Sequence, residues 1–297
     1  MSLDLREKGR PSVNISTCIG CGHCIAVCPD EVLLLKNGKA APGEGVFLGC
    51  IACGHCVAAC PTKSIAVRGR GMRPDDAIEF SASPRATAEQ LDALLLGRRS
   101  IRNFQKQEID RALIERILAM TATAPMGIPP SDVGVVVFHG FDKVQQFAAD
   151  ASVAFERAAR FFNPLMLGLM RPLMGREGYL VMRDFVKPLL KMLAEKRKVG
   201  EDWFTYNAPA ALLFHYGPMS GEADCHIAAT YAMLAAESLG LGSCMLGTTA
   251  ALNQAKDFKA KYEVPAKNKF GLAVVLGYAT REYHRGVKRR LAAVKFA

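Results

Sequence analysis

No stretch of this 297-residue chain is long and apolar enough to cross a bilayer as a helix. The uncharged run from Trp203 to Gly221 is interrupted by Asn207, Pro209, His215 and Pro218, which a lipid-buried helix tolerates poorly. The stretch from Met1 to Arg10 mixes Asp4, Arg6, Glu7, Lys8 and Arg10 without an apolar centre, so it does not read as an export signal. There is no Walker A sequence, helix-turn-helix, zinc-finger pattern or basic stripe interleaved with aromatics. The formal charge of +10 therefore does not point to nucleic acid. Charged residues are 22% of the chain and hydrophobic ones 50%, which excludes global disorder and leaves room for two domains with a sizeable core. The expectation is a soluble chain of the reducing cytoplasm, with no nucleic-acid partner and no membrane span.

Cysteine, in contrast, is abundant. Eight of the ten cysteines fall in two runs, Cys18, Cys21, Cys24, Cys28 followed by Pro29, and Cys50, Cys53, Cys56, Cys60 followed by Pro61. Each run reads C-x2-C-x2-C-x3-C-P, and the second repeats the first 32 positions later, with Gly22-His23 recurring as Gly54-His55. A duplicated half-domain accounts for this. Three cysteines spaced by two residues wrap the chain around three corners of a cubane cluster, and the fourth reaches the other cluster. Structural zinc is the alternative, but it usually pairs two C-x2-C knuckles across a longer gap. The runs resemble the bacterial-type two-cluster ferredoxins. That resemblance implies two [4Fe–4S] clusters, one held by Cys18, Cys21, Cys24 and Cys60 and the other by Cys50, Cys53, Cys56 and Cys28. Four cysteines per cluster leave His23 and His55 as turn residues. Cys225 and Cys244 sit among apolar residues and read as buried hydrophobes.

A two-cluster ferredoxin carries electrons but has no substrate pocket, so the rest of the chain should be what it serves. Residues 1–70 read as the ferredoxin domain. Gly69, Gly71, Pro74, Ser81, Ser83 and Pro84 mark a change of composition, and residues 71–88 read as a linker. Residues 89–297 read as an α+β domain with a central mixed sheet flanked by helices. Thr87 to Gln90 is a helix start, Gly97 its end, and a second helix spans residues 108–120. Further helices are expected over 143–161, 178–198 (kinked by Pro188) and 224–239. Strands are expected over 133–138, 210–215, 242–246 and 270–278.

Four segments of this second domain, taken together, resemble the nitroreductase family of FMN flavoproteins. They are Arg98-Arg99-Ser100-Ile101-Arg102-Asn103-Phe104; Ala124-Pro125-Met126-Gly127; Leu239 to Gly247, whose GLGSC core follows a helix rather than a strand; and Leu276-Gly277-Tyr278 with the basic run Tyr283 to Arg290. The resemblance implies that Arg98, Arg99, Ser100 and Arg102 grip the flavin and its phosphate. It implies that Pro125, Met126 and Gly127 cover the ring from a partner subunit, that Leu246 and Gly247 lie against it, and that Arg285 and Arg289 turn to the phosphate. The departure Ile128-Pro129-Pro130-Ser131 removes the polar residues usual after the second segment. Each segment also has a plain structural reading, from helix-end neutralisation by Arg98 and Arg99 to a solvated basic tail.

The resulting expectation is an FMN-dependent, nitroreductase-like oxidoreductase and homodimer, with no protein acid or base assigned to catalysis. It would take electrons from a reduced ferredoxin or NAD(P)H and pass them through two [4Fe–4S] clusters and FMN to a small organic acceptor such as a nitroaromatic or quinone. An electron-transfer or redox-sensing module without its own substrate is the alternative. Two clusters and one flavin phosphate would cancel roughly half of the excess positive charge. The long segment from Phe155 to Tyr206, with Phe161, Phe162, Tyr179, Trp203 and Tyr206, reads as a substrate lid or as an extra helical hairpin.

Overall fold

A computed structural model describes residues 7–81, 84–128 and 131–296, so Ser83, Pro129 and Pro130 lie outside the described residues. By contacts the chain divides into two units, Met1–Arg85 with Met126–Asp132, and Ala86–Pro125 with Val133–Ala297. The first boundary falls inside the expected 71–88 linker, and residues 126–132 are counted with the first unit rather than the second.

In the first unit β1 (Arg10–Val13) pairs antiparallel with β4 (Ile65–Arg68), and β2 (Leu33–Lys36) with β3 (Lys39–Pro42). The β2–β3 turn is Asn37-Gly38, both at positive φ (52° and 72°), as a tight two-residue hairpin requires. Each cysteine run continues into a short helix, α1 (His23–Ala26) and α2 (His55–Ala59). The residue before each helix is left-handed, Gly22 at φ 78° and Gly54 at φ 75°, which explains why glycine recurs in the duplicated sequence. Leu33, Ala40, Ile65 and Val67 form a small core with Cys18, Cys24 and Cys56.

The second unit is built on a sheet of order β5-β6-β8-β7, comprising β5 (Val133–His139), β6 (Ala210–Tyr216), β7 (Gly242–Leu246) and β8 (Lys269–Gly277). All three strand pairs are antiparallel, so the expected mixed character is confined, among the described residues, to a parallel bridge between Ser100 and Ser243 at the β7 edge. The central strands β6 and β8 read as near-continuous apolar runs because both faces are covered. On one side lies α8 (Glu222–Ser238), backed by α3 (Ala88–Gly97) and α4 (Arg111–Thr121). On the other, α5 (Phe141–Phe161) packs with Ala211, Leu213, Ala273 and Val275 and is itself covered by α7 (Lys187–Lys198).

The helix starts follow local chemistry. Thr87 and Gln90 form a reciprocal capping box on α3, and the Asp110 carboxylate accepts from Ala112 N at 3.0 Å on α4. One expectation needs correction. The helix expected over 178–198 is continuous from the end of α6 (Pro164–Val181) into α7, but a π turn at Met182–Val186, shortly ahead of Pro188, interrupts its regular ladder. A full break, at Gly175 (φ 69°, ψ 178°), lies just before this range and divides α6.

An aromatic group joins α5 to the sheet. The Phe147 ring stacks on Phe138 at 4.3 Å and meets Phe204 at 5.3 Å and Phe258 at 6.1 Å. Phe147 is fully buried, so Phe147→Ala is expected to destabilise this unit by about 3–5 kcal/mol. Trp203, the chain's one tryptophan, reports on the same unit, and the shift of its fluorescence transition in urea measures the loss.

Candidate functional site

The eight cysteines of the first unit sort into two electrostatic groups. The Cys24 thiol feels Cys60, Cys18 and Cys21, and Cys18 feels Cys60. The Cys56 thiol feels Cys50, Cys53 and Cys28, and Cys50 feels Cys53 and Cys28. The last cysteine of each run thus joins the first three of the other. The second group lines one cavity, in which Cys28, Cys50, Cys53 and Cys56 meet Val32, Ile51 and Val67.

The donor set fits iron–sulfur ligation. Backbone N–H groups of Ala40 and Gly20 hold the Cys18 thiol below its ordinary value. Burial opposes ionisation of Cys60, but donors led by Ser64 N at 3.2 Å outweigh it and favour the thiolate. In the second group burial, then repulsion from Cys50 and Cys53, pushes the Cys56 thiol up to about 11. A cationic iron core between the sulfurs would relieve that repulsion. Among the described residues no three His, Cys, Asp or Glu side chains are placed to hold a single metal ion. Asp30, just past the first run, accepts from Phe47 N at 2.7 Å, Leu48 N at 3.2 Å and Gly49 N, and so fixes the loop that leads into Cys50.

In the second unit the segment from Arg98 to Phe104 is laced to the sheet without being a strand. Ile101 N donates to Ser243 O at 2.9 Å, Thr280 N to Asn103 O at 3.1 Å, and Gln105 N to Tyr278 O at 2.8 Å. Three of the four sequence segments therefore meet at the β7–β8 edge. Arg102, Ser100 and Arg98 surround the buried Cys244 thiol, which burial pushes up and these groups pull back. The Arg99 guanidinium donates to Arg285 O at 3.5 Å. Glu237, on α8, is a carboxylate near Arg98 and Arg99. Ser243 Oγ is buried with no hydrogen-bond partner.

The other expected positions are placed differently. The Leu246 side chain is in the core, while Gly247 is exposed at the end of β7. Arg289 is exposed in the segment after β8, which has no helix or strand. Met126 receives a hydrogen bond from Ser131 Oγ at 3.8 Å, and Gly127 is left-handed at φ 47°.

Beside Arg102 opens a cavity of about 910 Å³. Asn103, Phe104, Lys106, Thr280 and Arg281 line one part of it, and Phe141, Gln145, Asp202, Trp203, Tyr206 and Asn207 another. Of the segment from Phe155 to Tyr206, this is the part that reaches the cavity. Phe155 is in the core, Phe161 and Phe162 pack on each other, and Tyr179 lies between Arg171 and Arg183. The loop is organised by Asp202, whose buried carboxylate accepts from Phe204 N (3.1 Å), Thr205 N (2.8 Å), Asn207 N (3.0 Å), Gln145 Nε2 (3.0 Å) and the Thr205 hydroxyl. It holds Tyr206 and Asn207 left-handed, at φ 56° and 53°, and sets the Tyr206 ring 5.9 Å from the Arg102 guanidinium. Asp202 was not singled out from sequence. The signal was local: an Asp followed at short range by Thr and Asn, an Asx-type arrangement.

Residues 95–278, more than half of the chain, match the family model described as "Nitroreductase family". The chain belongs to the nitroreductase family. Residues 10–61 of this nitroreductase-family chain match a second model, the 4Fe-4S dicluster domain. A curated relative, Ferredoxin-2 of Desulfomicrobium norvegicum, is 60% identical over 30 residues, 10% of this chain and 51% of its own length. The match thus spans about half of that relative. Among solved structures, a nitroreductase with bound FMN from Bacteroides fragilis NCTC 9343 is similar over 71% of this chain and 100% of its own, with 19% identity and a TM-score of 0.54. A nitroreductase with bound FMN from Desulfitobacterium hafniense DCB-2 shares 20% identity over 71% of this chain and 100% of its own, with a TM-score of 0.48. At 19% identity the likeness to the Bacteroides structure is one of fold.

The partition of the thiols carries a direct test. Cys60→Ser is expected to remove iron from the group of Cys18, Cys21 and Cys24 while sparing the other, so iron falls from about eight to about four atoms per chain. Equal loss from both groups, read from the low-temperature paramagnetic signals of the reduced protein, would contradict the grouping.

Proposed function

We propose that this chain is an iron–sulfur flavoprotein oxidoreductase that draws single electrons through two [4Fe–4S] clusters and reduces a small organic acceptor, such as a nitroaromatic or quinone, at FMN. The observation that carries this is the union in one chain of a nitroreductase-family domain with eight thiols in two crossed groups of four. The FMN named for the solved relatives supports the flavin assignment. Bound here, FMN would supply both one-electron and hydride chemistry, the adapter a one-electron carrier needs.

The chain's own residues fit such a group. Arg98, Arg99 and Ser100 offer guanidinium and hydroxyl donors for a phosphate dianion, with the Glu237 carboxylate near the two arginines and the Arg285 backbone beside Arg99. Arg102, held against Tyr206, supplies positive charge at the rim of the cavity. The cavity walls orient the acceptor, and no side chain is assigned as a catalytic acid or base. The roles of Pro125, Met126, Gly127, Leu246, Gly247 and Arg289 rest on family resemblance alone, as does assembly into a homodimer. A domain that only relayed electrons to a docked protein would have no use for an open cavity of about 910 Å³ beside the arginines, which favours the enzyme.

We take a reduced ferredoxin-type protein as donor, with NAD(P)H as the rival. Anaerobic mixing with NADPH should bleach the flavin band only slowly, and fast bleaching without a ferredoxin would reverse the assignment. The anaerobically purified protein is expected to show a flavin band over broad cluster absorption and to release one FMN per chain on denaturation. Protein that releases no flavin would overturn the proposal. Replacing Arg98 and Arg99 together by Ala should weaken FMN retention by about tenfold or more, measured by equilibrium dialysis and flavin fluorescence.

A further inference from the structure

The cavity beside Arg102 has a one-sided chemistry. Three cations line it, Arg102, Lys106 and Arg281, against one carboxylate, Asp202. That carboxylate is buried and already accepts from five donors within its own loop and α5, so it has no lone pair left for a ligand. Gln145 is likewise occupied, accepting from Arg197 and donating to Asp202 and Asn207. Among the described residues neither Lys106 nor Arg281 is ion-paired. What a ligand meets is positive charge and the aromatic side chains of Phe104, Trp203 and Tyr206.

We propose that this cavity is the acceptor site and that it selects aromatic anions, with Lys106 and Arg281 recognising a carboxylate or similar acidic group while the aromatic walls take the ring. The proposal rests on the reading that the neighbouring arginine segment seats the flavin. Asp202 is a positioning residue: it spends its charge on the turn that presents Trp203, Tyr206 and Asn207. Lys106 and Arg281 are exposed, so a neutral acceptor leaves them hydrated and gains nothing from them, whereas an anion gains charge-assisted hydrogen bonds there.

Trp203 makes occupancy directly readable, because it is the chain's one tryptophan and lines the cavity. The experiment titrates the oxidised holoprotein with 4-nitrobenzoate and, separately, with its neutral analogue 4-nitrobenzamide, following Trp203 fluorescence at low salt. 4-Nitrobenzoate is expected to bind about tenfold more tightly, and the preference should shrink as salt is raised. The double variant Lys106→Gln/Arg281→Gln should lower nitrobenzoate affinity to that of the amide, with amide binding and FMN content unchanged. The conservative double variant Lys106→Arg/Arg281→Lys should restore the preference, which separates charge recognition from a folding defect. Equal affinities in the wild type, or a preference that survives loss of both cations, would overturn the proposal. Loss of FMN from the glutamine variant would also overturn it, since the cavity would then be part of the flavin seat, and would leave the oxidoreductase assignment intact. Wild-type protein without FMN but with the preference intact would sink that assignment instead and leave the charge selectivity standing.

Discussion

Three backbone hydrogen bonds organise the second unit's chemistry. By tying Ile101 to Ser243, Asn103 to Thr280 and Gln105 to Tyr278, they lay a segment without regular structure along the β7–β8 edge. That geometry holds Arg98, Arg99 and Arg102 where a free chain would splay them apart, because like charges at close range repel. The repulsion is offset by the sheet that fixes the backbone, and an anion seated there, as proposed, would relieve it. Such a site would be organised before its ligand binds, with little ordering entropy left to lose at that moment.

The first unit uses the same logic with the sign reversed. Four thiols converge in each group, and in one of them mutual repulsion and burial drive Cys56 well above its ordinary value. Left-handed Gly22 and Gly54 turn the chain tightly enough to bring the thiols together, and the Asp30 carboxylate anchors the loop before Cys50. Here the relieving charge is cationic iron, and N–H donors aimed at Cys18 and Cys60 favour the form that binds it.

Much of this was legible in the sequence because it is written locally. The duplicated cysteine spacing, the Thr87–Gln90 capping box, the apolar runs of β6 and β8, and the arginine and LGLGSC segments each carry their signal within a few residues. What was missed depends on partners far along the chain. The α6 helix carries Gly168, Pro172 and Gly175, all poor helix formers that mask its periodicity, and Gly175 breaks it. The parallel bridge from Ser100 to Ser243 spans more than half of the second unit, and no periodicity announces it. The cavity is assembled from four separate stretches, so Lys106, Gln145 and Arg281 look like ordinary surface residues until the fold gathers them.

The Asp202 loop shows why such a site escapes pattern reading and still has a definite cause. Two consecutive residues, Tyr206 and Asn207, sit in the left-handed region, where a tyrosine in particular is disfavoured. A buried carboxylate satisfied by five donors over-determines the turn and holds the strain in place. The consequence is electrostatic as well as geometric. A carboxylate free to face the cavity would neutralise one of its three cations; spent on its own loop, it leaves them available. The chain's +10 excess therefore need not be read as a diffuse basic surface. Part of it is concentrated at the arginine segment and around this cavity, where cations with few acidic partners make anionic ligands the natural complement.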